Sequence, residues 1–363
     1  MRATGVNFIE IYQRKGIYSI PLPHILGAEG MGTVEALGEG VTNLEVGQRI
    51  AFTEGISTYA EFALVPAEKA LLIPVGMDDL TAAALPLQGM TAHYLASSTF
   101  PLGPEHTALV HAGAGGVGLL LIQLAKLRGA RVLTTVSDEH KAELARAAGA
   151  DEVLDYEGFD VRVRELTNGR GVDVVYDGVG QATFDRSLMS LAIRGTMVLF
   201  GAASGPVPEF DLQRLNSGGS LFITRPTLWN YLLTAEERNW RWGELTDAVV
   251  SGKLDVRIGG GPSIVRDFLA AHEAARAVRG LGAFSAFRRR LRPERRQPRR
   301  HQRAHRRRRG GAGPRRRRAR RRGLRDRQAG GQRRAAAVHR RASRVAVPCY
   351  GDSLRRPAAG TSE

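Results

Sequence analysis

Along residues 1–80 the apolar positions come in short clusters separated by glycines. Examples are Gly32-Thr33-Val34-Glu35-Ala36-Leu37-Gly38 and Gly47-Gln48-Arg49-Ile50-Ala51-Phe52. Residues 59–65 alternate apolar and polar with period two, the pattern of a half-buried strand. A β-rich unit is predicted here, with Met1 already close to a strand-like segment. From about residue 90 the pattern changes. A short apolar strand is predicted over 107–111, then a glycine loop and an apolar helix over 117–127. Strands over 131–136, around Val153-Leu154, over 172–176 and over 196–200 alternate with helices over 139–148 and 182–193. This alternation predicts an α/β fold with a parallel, doubly wound sheet covered by helices on both faces. A strand over 220–224, ended by Pro226, follows. Then comes a helix over 235–251, with Trp240 or Trp242 expected in the core, and a further helical segment over 264–278. There is no internal repeat.

Charge changes this picture only at the C-terminal end. Residues 281–363 hold 29 Arg, no Lys and four acids, a net charge of +25, against +17 for the whole chain. Residues 1–280 therefore carry −8, and the basic balance belongs to the tail. Runs such as Arg306-Arg307-Arg308-Arg309 repel one another and offer little apolar surface for a core, so the tail is expected to be disordered. Its Arg, Gly, Ala and Pro bias, without Lys, Ile, Asn or Met, is that of GC-rich coding DNA read in a shifted frame. A genuine disordered extension without a selected role and a nucleic-acid-binding arm are the competing readings of the tail, and nucleic acid is expected nowhere else. The single cysteine, Cys349, leaves the body without disulfides or a cysteine-built zinc site. No apolar run has membrane-spanning length, and no signal-peptide core is present. A cytoplasmic protein with no membrane partner is expected.

The chemistry concentrates after the strand at 107–111. Gly113, Gly115 and Gly118 fit G-x-G-x-x-G between a strand and an apolar helix, with Gly116 and Val117 inside the motif. The first glycine allows the tight turn, the second lets backbone approach a pyrophosphate, and the third lets helix and strand pack closely. The next strand ends Thr134-Thr135-Val136-Ser137, with Lys141 one helical turn later. Asp138 lies near the position of a ribose-binding acid, but beyond Ser137 it suits a helix cap better. Ser137 and Lys141 fit a 2′-phosphate, so NADPH is the expected cofactor.

Several motifs together resemble the quinone oxidoreductase (zeta-crystallin-like), zinc-free branch of the medium-chain dehydrogenase/reductase superfamily. They run from Gly5-Val6-Asn7-Phe8-Ile9-Glu10-Ile11-Tyr12 through Gly16-Ile17-Tyr18, Gly27-Ala28-Glu29 and Gln88-Gly89-Met90-Thr91 to His111–Gly118. Val175-Tyr176-Asp177-Gly178-Val179-Gly180, Phe200-Gly201 and Thr224-Arg225-Pro226 complete the series. The resemblance implies a GroES-like catalytic domain over 1–88, a Rossmann NADPH-binding domain over 89–223, a return to the catalytic domain over 224–280, and the tail over 281–363. It implies that Asn7, Tyr12 and Tyr18 line the nicotinamide side. Ser137, Lys141 and Tyr156 match the adenosine-phosphate pocket, while Gly178, Phe200, Gly201 and Thr224 flank the cofactor. It also implies a homodimer joined at the sheet edge near 220–224. The zinc-dependent relatives' Gly-His-Glu segment reads Gly27-Ala28-Glu29 here, and His24 with Glu29 is too few ligands, so no metal is expected.

The implied reaction is zinc-independent hydride transfer from NADPH to a quinone or similar conjugated carbonyl. Tyr12 is the candidate catalytic donor, or else a wall of the cofactor ring. The alternatives are an enone or enoyl-thioester reductase of the same superfamily, a nucleic-acid-binding protein, and an NADPH-binding protein without turnover. The family has further β structure before Asn7 and a closing C-terminal strand. Unpaired edges and reduced stability are therefore expected of the chain as written.

Overall fold

The computed structural model describes residues 1–258, all within one compact unit. The helical segment expected over 264–278 and the arginine-rich tail lie outside the described residues. The first part of the chain builds a small antiparallel sheet in the order β1-β2-β3-β4 from β1 (Ala3–Thr4), β2 (Gly30–Thr33), β3 (Arg49–Phe52) and β4 (Leu71–Leu72). Three helices interrupt the segment expected to be β-rich or follow it closely. They are α1 (Phe8–Arg14), α2 (Asp79–Ala84) and α3 (Pro86–Tyr94). The start of α1 is set by Asn7 in extended backbone, whose N–H donates to Glu10 Oε2 at 2.7 Å. Asp78 caps α2 by accepting the N–H groups of Leu80 and Thr81.

The strand expected over 59–65 does not form. Only Leu64 pairs, in a single bridge to Ile56, and Phe62 and Leu64 are exposed. Alternation suffices for a strand only where a partner supplies the ladder.

The second part alternates strand and helix. It contains β5 (Thr107–Val110), α4 (Gly116–Leu127), β6 (Arg131–Val136), α5 (Glu139–Ala147), β7 (Glu152–Asp155) and α6 (Phe159–Leu166). Then follow β8 (Val172–Asp177), α7 (Phe184–Ser190), β9 (Leu191–Leu199), α8 (Gln213–Ser217), β10 (Phe222–Thr224) and α9 (Ala235–Val250). The six strands pair in parallel in the order β10-β9-β8-β5-β6-β7. The helix expected over 182–193 is shorter, because Leu191 pairs with Val172 and begins a strand that is irregular before it reaches Thr196. Arg194 in that irregularity has φ +60°.

Period-two alternation sends successive strand residues to opposite faces. Leu109, Leu133, Val175 and Met197 pack with Phe159, Val163, Phe184 and Leu188 on one face. Val110, Val132, Val174 and Val198 pack on the other with Met90, Leu120, Leu121, Leu124 and Leu245. Each fully buried side chain of this size contributes roughly 1.5–3 kcal/mol. Trp242 is the buried tryptophan of α9, and its Nε1 donates to Leu72 O at 2.7 Å, tying α9 to the small sheet. Chain order reverses between β5 and β8, so the loops after these two strands open into one crevice.

Candidate functional site

A cavity of about 1340 Å³ opens there. Its floor is the loop after β5. Gly115 stands before α4 in extended backbone with no side-chain cap, so the first N–H groups of the helix are left for a ligand. A Cβ on Gly118 would lie 2.3 Å from Ala112 O, and one on Gly113 only 1.9 Å from Thr134 Oγ1. Both positions therefore require glycine. Ala112 itself has φ +53°, a strained value for a residue with a Cβ.

At one end of the cavity Lys141 Nζ donates to Ser137 Oγ at 2.6 Å and pairs with Asp138 at 2.7 Å. Asp138 accepts the Lys141 N–H and caps α5, and it is not among the lining residues. Tyr156 also lines this end. Burial pushes its phenol up, and its ring stacks on His111 with centroids 6.2 Å apart. Arg186 completes the end, held by Glu157 at 2.9 Å and Asp160 at 3.8 Å. Sequence reasoning missed Arg186, because it lies on a different helix from the residues it joins.

At the other end α1 and the turn after it bring in Asn7, Tyr12 and Tyr18. The rings of Tyr12 and Tyr18 meet edge to face at 5.3 Å. Tyr12 Oη accepts the Ala202 N–H at 3.2 Å, which links α1 to the loop after β9. Burial raises the Tyr12 phenol above its usual range. Asn7 Nδ2 donates to Glu29 Oε2 at 2.6 Å, and Gln88 Nε2 donates to Asn7 Oδ1 at 3.1 Å. Glu29 also accepts the Leu87 N–H at 2.7 Å. Burial pushes Glu29 up to about 7 and the adjacent Glu10 up to about 8.

Gly178, Phe200 and Gly201 line the middle, where a Cβ on Gly201 would lie 2.5 Å from Gly178 O. The cavity thus brings together Asn7, Tyr12, Tyr18, Gly115, Gly116, Val117 and Gly118 with Ser137, Lys141, Tyr156, Gly178, Phe200 and Gly201. Two expected residues do not line it. Gly113 packs under the loop against Thr134, and Thr224 ends the edge strand just before Arg225, which does line the cavity. His111, Gln88 and Trp229 also line it and escaped the sequence reading of site residues, although His111 and Gln88 lay inside quoted motifs. His24 is exposed, and among the described residues no group of three or more His, Cys, Asp or Glu could hold a metal.

Comparison with known proteins agrees with this architecture. Residues 1–75 match the alcohol dehydrogenase GroES-like domain, and residues 116–234 match the zinc-binding dehydrogenase family model. A quinone oxidoreductase from Pseudomonas aeruginosa is 44% identical over 286 residues, covering 78% of this chain and 86% of the relative. A mycobacterial structure complexed with NADPH superposes with a TM-score of 0.75 at 49% identity, covering 78% of this chain and 89% of that one. The Escherichia coli quinone oxidoreductase complexed with NADPH gives a TM-score of 0.75 at 38% identity and the same coverage. With its two matched domains and relatives this similar over most of their length, the chain belongs to the quinone oxidoreductase family of the medium-chain dehydrogenase/reductase superfamily.

Proposed function

We propose that the chain is an NADPH-dependent, zinc-independent oxidoreductase that reduces a quinone or similar conjugated carbonyl. The observation that carries the cofactor reading is the Ser137–Lys141 pair at the end of β6, facing the cavity where an NAD-specific site would hold an acid. The side chains fit the group. Gly115 and Gly118 keep the loop free of Cβ atoms, and the uncapped start of α4 presents N–H groups and a positive dipole end to phosphates. Ser137 and Lys141 take the 2′-phosphate, with Tyr156 beside them, and Arg186 lies within the same end. Related proteins have been solved with NADPH.

When bound, NADPH supplies a hydride from C4 of its nicotinamide ring. Asn7, Tyr12 and Tyr18 wall the end assigned to that ring and to the acceptor. The Tyr12 hydroxyl accepts from Ala202, so its own proton is available to the oxygen that gains charge. Its raised pKa keeps that proton in place at neutral pH. We assign residues 1–88 to the catalytic domain, 89–223 to the dinucleotide domain and 224–280 to the return. We also infer a homodimer along β10. It lies at the end of the strand order, and Phe222 on it is 60% exposed. Among the described residues no helix is long and apolar enough to cross a membrane.

The test is NADPH consumption by the purified chain with a panel of quinones and with a simple enone. Turnover fastest with quinones supports the reading. Binding of NADPH without turnover of any acceptor contradicts it.

A further inference from the structure

Beneath the glycine loop runs a chain of buried hydrogen bonds that the cofactor and acceptor readings leave unused. His111 follows β5 and is 1% exposed. Its Nδ1 lies 2.8 Å from Thr135 Oγ1, and its Nε2 lies 2.9 Å from Ser187 Oγ. Ser187 Oγ donates to Asp177 Oδ2 at 3.1 Å. Asp177 also accepts from Thr183 Oγ1 at 2.6 Å and from the N–H groups of Val179 at 2.7 Å and Gly180 at 2.9 Å. Thr135, Ser187, Asp177 and Thr183 are all buried.

The hydrogens available give this chain one direction. Ser187 commits its one proton to Asp177 Oδ2 and must accept from His111. The proton of His111 is therefore on Nε2. A neutral imidazole has one N–H, so Nδ1 accepts from the Thr135 hydroxyl. The His111 ring lies face to face with the Tyr156 ring, with centroids 6.2 Å apart. Burial lowers the basicity of His111, which keeps it neutral. The donors thus run one way, from Thr135 through His111 and Ser187 to Asp177, and chains of this kind strengthen one another. Tyr156 stands at the end of the cavity assigned to the adenosine phosphate. Asp177 shapes the turn at 178–180 whose Gly178 and Val179 line the middle of the cavity.

We propose that His111 is a positioning residue for the dinucleotide, which as its Nε2–H tautomer holds the Tyr156 ring stacked on it and the 177–180 turn in place relative to each other. The kinetic consequence rests on the NADPH reading above, whereas the tautomer is observable without any ligand.

The test combines nitrogen-15 NMR of the histidine side chains of the full chain, assigned with His111→Gln, and kinetics of Ser187→Ala and Thr135→Val. Neither of these two residues lines the cavity. Both substitutions nearly preserve volume. The wild type is expected to show a neutral Nε2–H imidazole at neutral pH, and Ser187→Ala should move the proton to Nδ1. Each variant should raise the KM for NADPH about three- to tenfold, the worth of one hydrogen bond, while kcat changes less than about twofold. A merely structural role would lower the melting temperature and leave that KM in place. An Nδ1–H or doubly protonated His111 in the wild type overturns the proposal, as does an unchanged KM in Ser187→Ala. If the wild type binds no NADPH, the functional reading falls, and the tautomer alone decides the proposal.

Discussion

At the scale of single residues, the cavity is organised by groups whose charge state burial controls. Glu10 and Glu29 are pushed up to about 8 and about 7, in both cases first by burial. Both values lie above the 4.5 of an unburied glutamate, so the folded chain binds these two protons more tightly than the unfolded chain does. The stability that follows is fully present below about pH 4.5 and is lost as pH rises through about 7 and then about 8. The melting temperature should therefore fall across that window. Glu10→Gln can still accept the Asn7 N–H through Oε1, and it should flatten the upper part of the fall. Calorimetry of the two proteins over pH checks this, and equal slopes would contradict it. In the proposed function Lys141 carries the cofactor preference. Lys141→Ala should raise the KM for NADPH about ten- to hundredfold, the range for a hydrogen bond to a charged group, and barely move that for NADH. Initial-rate kinetics with both nucleotides decide it.

At the scale of elements, much of the second half was legible because strands and helices there differ in period. The strand at 131–136 and the limits of α4, α5 and α9 fall within a residue of those expected. The first half was less so. Helix α1 has seven residues, too few for periodicity to distinguish it from a strand, and its start depends on a backbone-to-carboxylate bond from Asn7 to Glu10. The segment 59–65 has the alternation of a strand without a partner ladder. Arg186 could not be placed at the site from sequence, because packing between elements far apart in the chain brings it there, whereas His111 adjoins the glycine loop and was passed over only as a site residue. The glycine loop was readable because its chemistry is local. That makes it testable. Gly118→Ala puts a Cβ 2.3 Å from Ala112 O, so α4 and β5 must part. A loss of about 1–3 kcal/mol is expected, together with weaker NADPH binding. Denaturant unfolding measures the first and fluorescence titration the second. A variant as stable as the wild type would show that the loop does not pack as described.

At the scale of the whole molecule, a small antiparallel sheet and a six-stranded parallel sheet meet along a crevice. The Tyr12–Ala202 bond and the contacts of α9 with the small sheet hold them there. The bond from α1 to the loop after β9 makes the end assigned to the acceptor depend on both sheets, whereas the end assigned to the phosphate belongs to the parallel sheet alone. The homodimer proposed along β10 predicts that Phe222→Lys yields a monomer in sedimentation without abolishing NADPH binding, since that strand is remote from the Ser137–Lys141 end. In the proposed function this crevice selects a pyridine nucleotide by its 2′-phosphate. Equilibrium titration of the full chain with NADPH and with NADH, following nucleotide fluorescence, tests it most directly. A dissociation constant at least about tenfold lower for NADPH is predicted from the charge-assisted contacts at Ser137 and Lys141. Equal affinities, or a preference for NADH, would contradict it.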